Sequence, residues 1–152
     1  AEDFCTAPGK NVLEAGELLV EIKFPARGTN SGSHYRRFIP RNEMDIAVVS
    51  VGASVELDES KQNFGSARIA LGAVAATPLF AQAASDALSG QPVNEKSIAN
   101  AAAAAKEIAT PITDMRGTAE YRTHLIGVLI ERVINAAVSQ ARGEAICYKP
   151  GH

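Results

Sequence analysis

The sequence predicts an α+β domain, with an antiparallel sheet of about four strands followed by three helices packed on one face. Three observations carry this. Apolar residues alternate with period two through the first half of the chain, most clearly over 47–57. After Thr77 the period changes to that of a helix. No strand pattern returns among the helical ones, so the strand–helix–strand crossovers of a parallel sheet are not expected.

Residues 1–10, with Pro8 and Gly9 and few periodic apolar positions, read as an irregular lead-in. Residues 17–24 alternate and are rich in strand formers, which predicts a first strand ending at Pro25. Residues 26–33 are rich in Gly, Ser and Asn and predict a mobile loop or hairpin. A short second strand is expected over 35–39. Over 47–57, Val49, Val51, Ala53, Val55 and Leu57 share one face, and Ser50, Gly52, Ser54 and Glu56 share the other. After a polar turn at 58–65, residues 66–74 alternate again, with Ala67, Ile69, Leu71 and Ala73 facing in. The short turn between the last two strands predicts antiparallel pairing.

Thr77-Pro78 reads as an N-cap followed by proline at the first helical position. Leu79, Ala83, Ala84, Ala87 and Leu88 then keep helical spacing, and Gly90 is the expected stop. Asn94 can cap a second helix whose stripe is Ile98, Ala101, Ala102, Ala105 and Ile108, ended by Pro111. Its alanine run predicts close packing against a neighbour, since alanine combines helix propensity with small bulk. The third helix is expected from near Thr118 to about Arg142, burying Ile126, Leu129, Ile130, Val133 and Ala137. Glu120 in its first turn suits the helix dipole.

Composition narrows the function classes. The 152 residues suit one domain, and 46% hydrophobic residues can supply its core. A net charge of −2 argues against general nucleic-acid binding. Aromatics at 5%, without Trp, argue against a stacking platform for bases or sugars. Cys5 and Cys147 are too few to hold an iron–sulfur cluster or a four-cysteine zinc site. Two unrelated free thiols in a reducing cytosol are the favoured reading, and a terminal disulfide is the alternative. No run is long enough to span a membrane as a helix. The chain begins with Ala rather than Met, and a fragment is expected.

His34, His124 and His152 have no metal-ligand spacing. There is no nucleophile elbow and no glycine-rich phosphate loop after a strand. One polar cluster stands out: Arg36, Arg37, Arg41, Glu43 and Asp45, around Pro40. Two arginines on a short strand can offer charge-assisted donors to an anion or carbonyl. The plainer reading is a solvated edge strand whose charges discourage aggregation. Arg41 with Asp45, or Arg37 with Glu43, can also simply pair across the turn. A second group, residues 114–122, reads as the opening of the last helix. There Asp114 accepts backbone donors, and Tyr121 buries its ring while keeping its hydroxyl wet.

Four segments in order carry a family resemblance. Gly16-Glu17-Leu18-Leu19-Val20-Glu21-Ile22 with Pro25 is the first. Tyr35-Arg36-Arg37-Phe38-Ile39-Pro40-Arg41 followed by Asp45-Ile46-Ala47-Val48-Val49 is the second. Ala67-Arg68-Ile69-Ala70-Leu71-Gly72-Ala73-Val74-Ala75 with Thr77-Pro78-Leu79 is the third. Asp114-Met115-Arg116-Gly117-Thr118-Ala119-Glu120-Tyr121-Arg122 is the fourth. Together they resemble the C-terminal domain of the FAD-binding (medium) subunit of molybdenum hydroxylases, the carbon monoxide dehydrogenase and xanthine dehydrogenase family. Each segment is weak alone; the four in order cover nearly the whole chain.

The resemblance implies an organisation and a role. Residues 1–12 would be the tail of a preceding FAD-binding domain or a linker, 13–142 the family's C-terminal domain, and 143–152 a tail. In such enzymes a large subunit oxidises substrate at a molybdenum cofactor. Iron–sulfur clusters on a small subunit pass the electrons to FAD on the medium subunit. Most FAD contacts would belong to domains outside this sequence, whose glycine-rich diphosphate segments it lacks. The resemblance brings the turn from Tyr35 to Asp45 to the flavin ring, with Arg37, Arg36 and Asp45 as candidate cofactor contacts. Arg37 stands where the family often has Lys, and a planar fork replaces a compact point charge. A cation there would stabilise charge on the reduced ring. The implied role is to cover the flavin and dock the partner subunits in the cytoplasm, with no catalytic set of its own. A stand-alone interaction or oligomerisation domain without redox role is the alternative.

Overall fold

The computed structural model describes residues 3–41 and 45–144. Glu43, Cys147 and His152 lie outside the described residues, as does nearly all of the expected C-terminal tail. Strands β1 (Cys5–Ala7) and β2 (Lys10–Asn11) pair antiparallel. Gly9 turns the chain between them at φ 69°, a conformation open to glycine. The lead-in expected to be irregular is therefore a small ribbon.

Among the described residues the main sheet has four strands, β3 (Ser31–Phe38), β4 (Val49–Leu57), β5 (Phe64–Gly72) and β6 (Leu79–Phe80), in that spatial order and antiparallel throughout. This is the expected α+β architecture, but two of its strands are recruited differently from the sequence reading. Residues 17–24 form no strand: Leu18, Val20, Ile22 and Phe24 all stay exposed. Alternation makes a strand possible, yet a strand exists only when a neighbour takes its hydrogen bonds. The Gly/Ser/Asn-rich stretch expected as a loop instead supplies the start of β3. Gly32 is needed there: a Cβ at that position would sit 1.9 Å from the carbonyl oxygen of Ala137 in the last helix. The missing side chain lets helix and sheet touch.

β4 and β5 follow the sequence reading most closely. Val49, Val51, Ala53, Val55 and Leu57 are all buried, as are Ala67, Ile69 and Leu71. Ala73 is not: it adopts φ 63° and is exposed, and Val74 takes the buried position after the alternation slips. The turn between β4 and β5 is tied by Asp58. Its carboxylate accepts from Ser60 Oγ, the backbone N–H groups of Gln62 and Asn63, and Asn63 Nδ2 at 2.8–3.2 Å.

The first helix begins later than its spacing implied. Leu79 and Phe80 pair with Leu71 and Ala70 as β6, leaving α1 (Gln82–Asp86) only 5 residues long. The edge of β5 takes the hydrogen bonds of those two residues, and Arg68 lies 4.4 Å over the Phe80 ring. Buried Ser85 ties α1 to the sheet. Its hydroxyl accepts from Ile69 N at 3.0 Å and donates to Ala81 O at 2.8 Å. Helix α2 (Glu95–Glu107) starts at Asn94, whose side chain accepts from Ser97 N at 2.9 Å. Helix α3 (Ala119–Arg142) runs from the Thr118 cap to Gly143 in the left-handed conformation. α3 lies across β3 and β4, α1 sits on β5, and α2 packs against both helices. Ile126, Leu129, Ile130, Val133 and Ala137 meet the sheet's buried face as the spacing predicts.

Candidate functional site

Register decides which side chains of the basic turn can act together. Arg36 lies opposite Val51, and Val51 opposite Leu71, so Arg36 belongs to the helix-covered face. Arg37 lies opposite Ser50, and Ser50 opposite Gly72, so Arg37 belongs to the other face and is exposed. The two arginines grouped by the sequence thus project from opposite sides of β3. Arg36 faces the same side as His34, whose imidazole pKa is lowered by partial burial and by the Arg36 charge. Asp45 is engaged elsewhere again. Its carboxylate accepts from Arg41 N at 3.1 Å, Arg41 Nε at 3.5 Å and Ile46 N at 3.1 Å. Burial resists ionisation of Asp45, but the Arg41 side chain and backbone together outweigh it and lower its pKa.

The face that carries Arg37 is built of small residues. Across β4 and β5 it presents Ser50, Gly52, Ala70 and Gly72, with Tyr35 beside Arg37 on β3. A Cβ on Gly72 would meet Ser50 Oγ at 2.4 Å, and one on Gly52 would lie 3.7 Å from the Tyr35 ring. The result is a shallow strip of backbone and hydroxyl bordered by an exposed phenol and an exposed guanidinium. It can accept a flat group from one side.

At the same end of the sheet the opening of α3 forms a buried polar clamp. Asp114 and Gly117 close a tight turn by exchanging backbone hydrogen bonds at 3.1 and 3.2 Å. Asp114 accepts from Arg116 N at 2.9 Å and from Arg122 Nη2 at 2.7 Å. The Arg116 backbone donor, then the Arg122 guanidinium, hold the Asp114 carboxyl below the usual carboxylate range against the effect of burial. Arg122 is only 3% exposed. Its Nη1 donates to Val48 O at 2.6 Å and to Ala73 O at 3.3 Å, so one guanidinium joins α3, the start of β4 and the end of β5. Tyr121 packs edge-on against Phe38 of β3, with ring centroids 6.1 Å apart. A cavity of about 510 Å³ opens beside the clamp, lined by Ile46, Ala73 and Ile112 together with Asp114, Arg116 and Arg122.

The sequence reading assigned residues 114–122 correctly to a helix opening but did not single out Arg122. The signal was present. Arg122 falls a turn before Ile126 in the apolar stripe, and a charged residue in that register must find buried partners. Among the described residues no group of three or more His, Cys, Asp or Glu could hold a metal ion. Cys5 is a free thiol.

Residues 34–137, which hold β3 from His34 onward, the small-residue strip and the clamp, match the family model described as the CO dehydrogenase flavoprotein C-terminal domain. The chain belongs to that family. Within the CO dehydrogenase flavoprotein C-terminal family, it is 32% identical over 142 residues to a putative xanthine dehydrogenase FAD-binding subunit of Escherichia coli, covering 93% of this chain and 48% of that protein. It is 34% identical over 142 residues to the carbon monoxide dehydrogenase medium chain of Afipia carboxidovorans, with the same coverage. Among solved structures, carbon monoxide dehydrogenase from Hydrogenophaga pseudoflava superposes with a TM-score of 0.85 at 32% identity, over 91% of this chain and 47% of that one. The chain thus spans about half the length of the relatives it matches. The family fold is the one described above, an antiparallel four-stranded sheet with three helices.

Proposed function

We propose that this domain forms one wall of the flavin site in the FAD-binding subunit of a molybdenum-containing hydroxylase and helps to dock the partner subunits. The observation that carries the reading is Arg37, exposed at the border of the small-residue strip in a chain of this family. The residues present fit one side of a planar ring and leave the diphosphate to other parts of the subunit. When bound, FAD supplies the redox chemistry of the subunit. The chain's own part is positional. Arg37 places a permanent positive charge at the ring edge, where it favours a build-up of negative charge. The backbone at Gly52 leaves room for a flat group, beside the Ser50 hydroxyl that fills the space over Gly72. Asp45 holds Arg41 just beyond the strand that presents Arg37, and Arg36 lies on that strand's helix-covered face.

In this reading the partners are a molybdenum-binding large subunit and an iron–sulfur small subunit, and the isolated domain has no catalysis of its own. The setting in this reading is cytoplasmic, as the family resemblance implies. Among the described residues no helix is long and apolar enough to cross a membrane. A stand-alone binding role is not favoured by a chain that matches one half of FAD-binding subunits. The test is the flavin potential of the subunit carrying Arg37→Ala. A lower potential with full FAD content is expected. An unchanged potential with full FAD content removes Arg37 from the flavin edge.

A further inference from the structure

Residues 17–24 carry a strand pattern that this domain leaves unused. Leu18 is 84% exposed, Val20 91%, Ile22 67% and Phe24 85%. All are even-numbered, so in an extended chain they share one face. On the alternate positions Glu21 and Lys23 form an ion pair at 2.9 Å, the contact that residues two apart make along an extended segment. The backbone from Leu18 to Ala26 makes no backbone hydrogen bond among the described residues. A segment this apolar, with an unsatisfied row of donors and acceptors, has the chemistry of a strand awaiting a sheet.

The domain's own open edge, β3, begins shortly after this segment and is not used by it. The chain is pinned in between. Arg27 donates to Ser31 O through Nε at 2.8 Å and through Nη2, and reaches Gln140 O of α3 at 3.3 Å. This clamp holds the start of β3 against α3 and leaves residues 18–24 free to diverge from the sheet.

We infer that Leu18 to Phe24 is a β-strand that completes a sheet in the FAD-binding portion of the subunit, the part its relatives carry outside the matched half. The inference rests on the proposed function for the identity of that partner. The relatives are about twice as long as the matched segment, and those named above include an FAD-binding subunit. A partner on the same polypeptide meets the strand at high effective concentration. Main-chain pairing supplies the affinity, and the even-numbered apolar side chains enter the partner's core. The two parts of the subunit are then joined by an exchanged strand as well as by a link in the chain.

Hydrogen exchange read by mass spectrometry tests this on the 152-residue chain and on the FAD-loaded subunit that contains it. The expected result is rapid exchange at residues 18–24 in the chain alone, at any concentration, and exchange slowed on the order of 100-fold or more in the subunit. Rapid exchange in the subunit overturns the inference. Protection already present in the dilute chain overturns it too, because the segment then packs within its own domain. Protection that grows with concentration of the chain assigns the strand to a second copy and likewise overturns it. Val20→Lys with Ile22→Lys should leave the chain's melting temperature unchanged and abolish protection in the subunit. FAD content, read separately by absorbance, keeps the two readings apart. Protection in a subunit without flavin supports the strand and sinks the flavin role, and full flavin without protection does the reverse.

Discussion

Arg122 Nη2 donates to Asp114 Oδ1 at 2.7 Å, and through the Nη1 of the same guanidinium the last helix grips the ends of two strands far from it in sequence. Arg122→Met should destabilise the fold by about 3 kcal/mol, because the Val48 and Ala73 carbonyls lose their donor and the Asp114 carboxylate loses its cation. Arg122→Lys should recover only part of this, since an ammonium cannot span the same three acceptors in one plane. Urea denaturation checks both. A loss below about 1 kcal/mol for Arg122→Met would mean that the clamp is decoration.

Ser85→Ala should cost about 1–2 kcal/mol, because Ile69 N is left without an acceptor inside the core. Ser85→Thr would keep the hydroxyl but must fit a methyl at a site only 2% exposed, so it should rescue poorly. Thermal unfolding of the pair separates the lost hydrogen bond from the lost space.

Gly32→Ala should destabilise by about 3 kcal/mol or more, since its methyl would collide with the backbone of α3 at Ala137 and Ala141. The obstacle is backbone, which no rotamer change can clear. A melting temperature equal to that of the parent protein would show that α3 can move aside without cost.

Acid should weaken the fold through its carboxylates. The Asn63 side-chain amide lowers the Asp58 pKa most; burial works the other way, and Asn63 N–H, Ser60 and Gln62 N–H carry it from 3.8 to about 2. A carboxyl with a lowered folded pKa stabilises above its unfolded value, and that contribution is lost as pH falls through the folded value. The loss from Asp58 therefore falls between about pH 4 and about pH 2. Asp114 and Asp45 act in the same direction. Asp58→Asn should lower stability at neutral pH and flatten this acid limb, which melting curves across that range would reveal.

Arg37→Ala should change stability by less than about 0.5 kcal/mol, as expected for an exposed side chain. The same substitution should shift the flavin potential of the intact subunit. Stability and potential together distinguish a cofactor contact from a residue that only supports the strand.

Period-two alternation located β4 and β5 to within a few residues, because both faces of that pair are defined by what the sheet buries on one side. The helical stripe of α3 was equally legible, since the sheet covers a single side of it. Residues 17–24 show where alternation stops informing. Pattern states which face is apolar but not whether a neighbour is at hand to pair with it. The start of β3 was hidden for the opposite reason: glycine and serine look like a loop, and only the nearness of Ala137 explains them. Arg36 and Arg37 looked like one site because adjacency in sequence was read as adjacency in space, which a strand forbids. Arg122 was visible as a misplaced charge in an apolar register, but its partners lie far off in sequence at Val48 and Ala73.

The strand order β3-β4-β5-β6 follows the chain, and α3, which covers β3 and β4, is made last. At about 5–20 residues per second, several seconds of synthesis separate the first of these strands from the helix that shields them. In that interval the hairpins can zip while Val51 and Val55 of β4 still lack the helix that covers them. The half of the sheet made first is therefore the half covered last, and exposure to aggregation during synthesis is expected to centre on β3 and β4 rather than on β5.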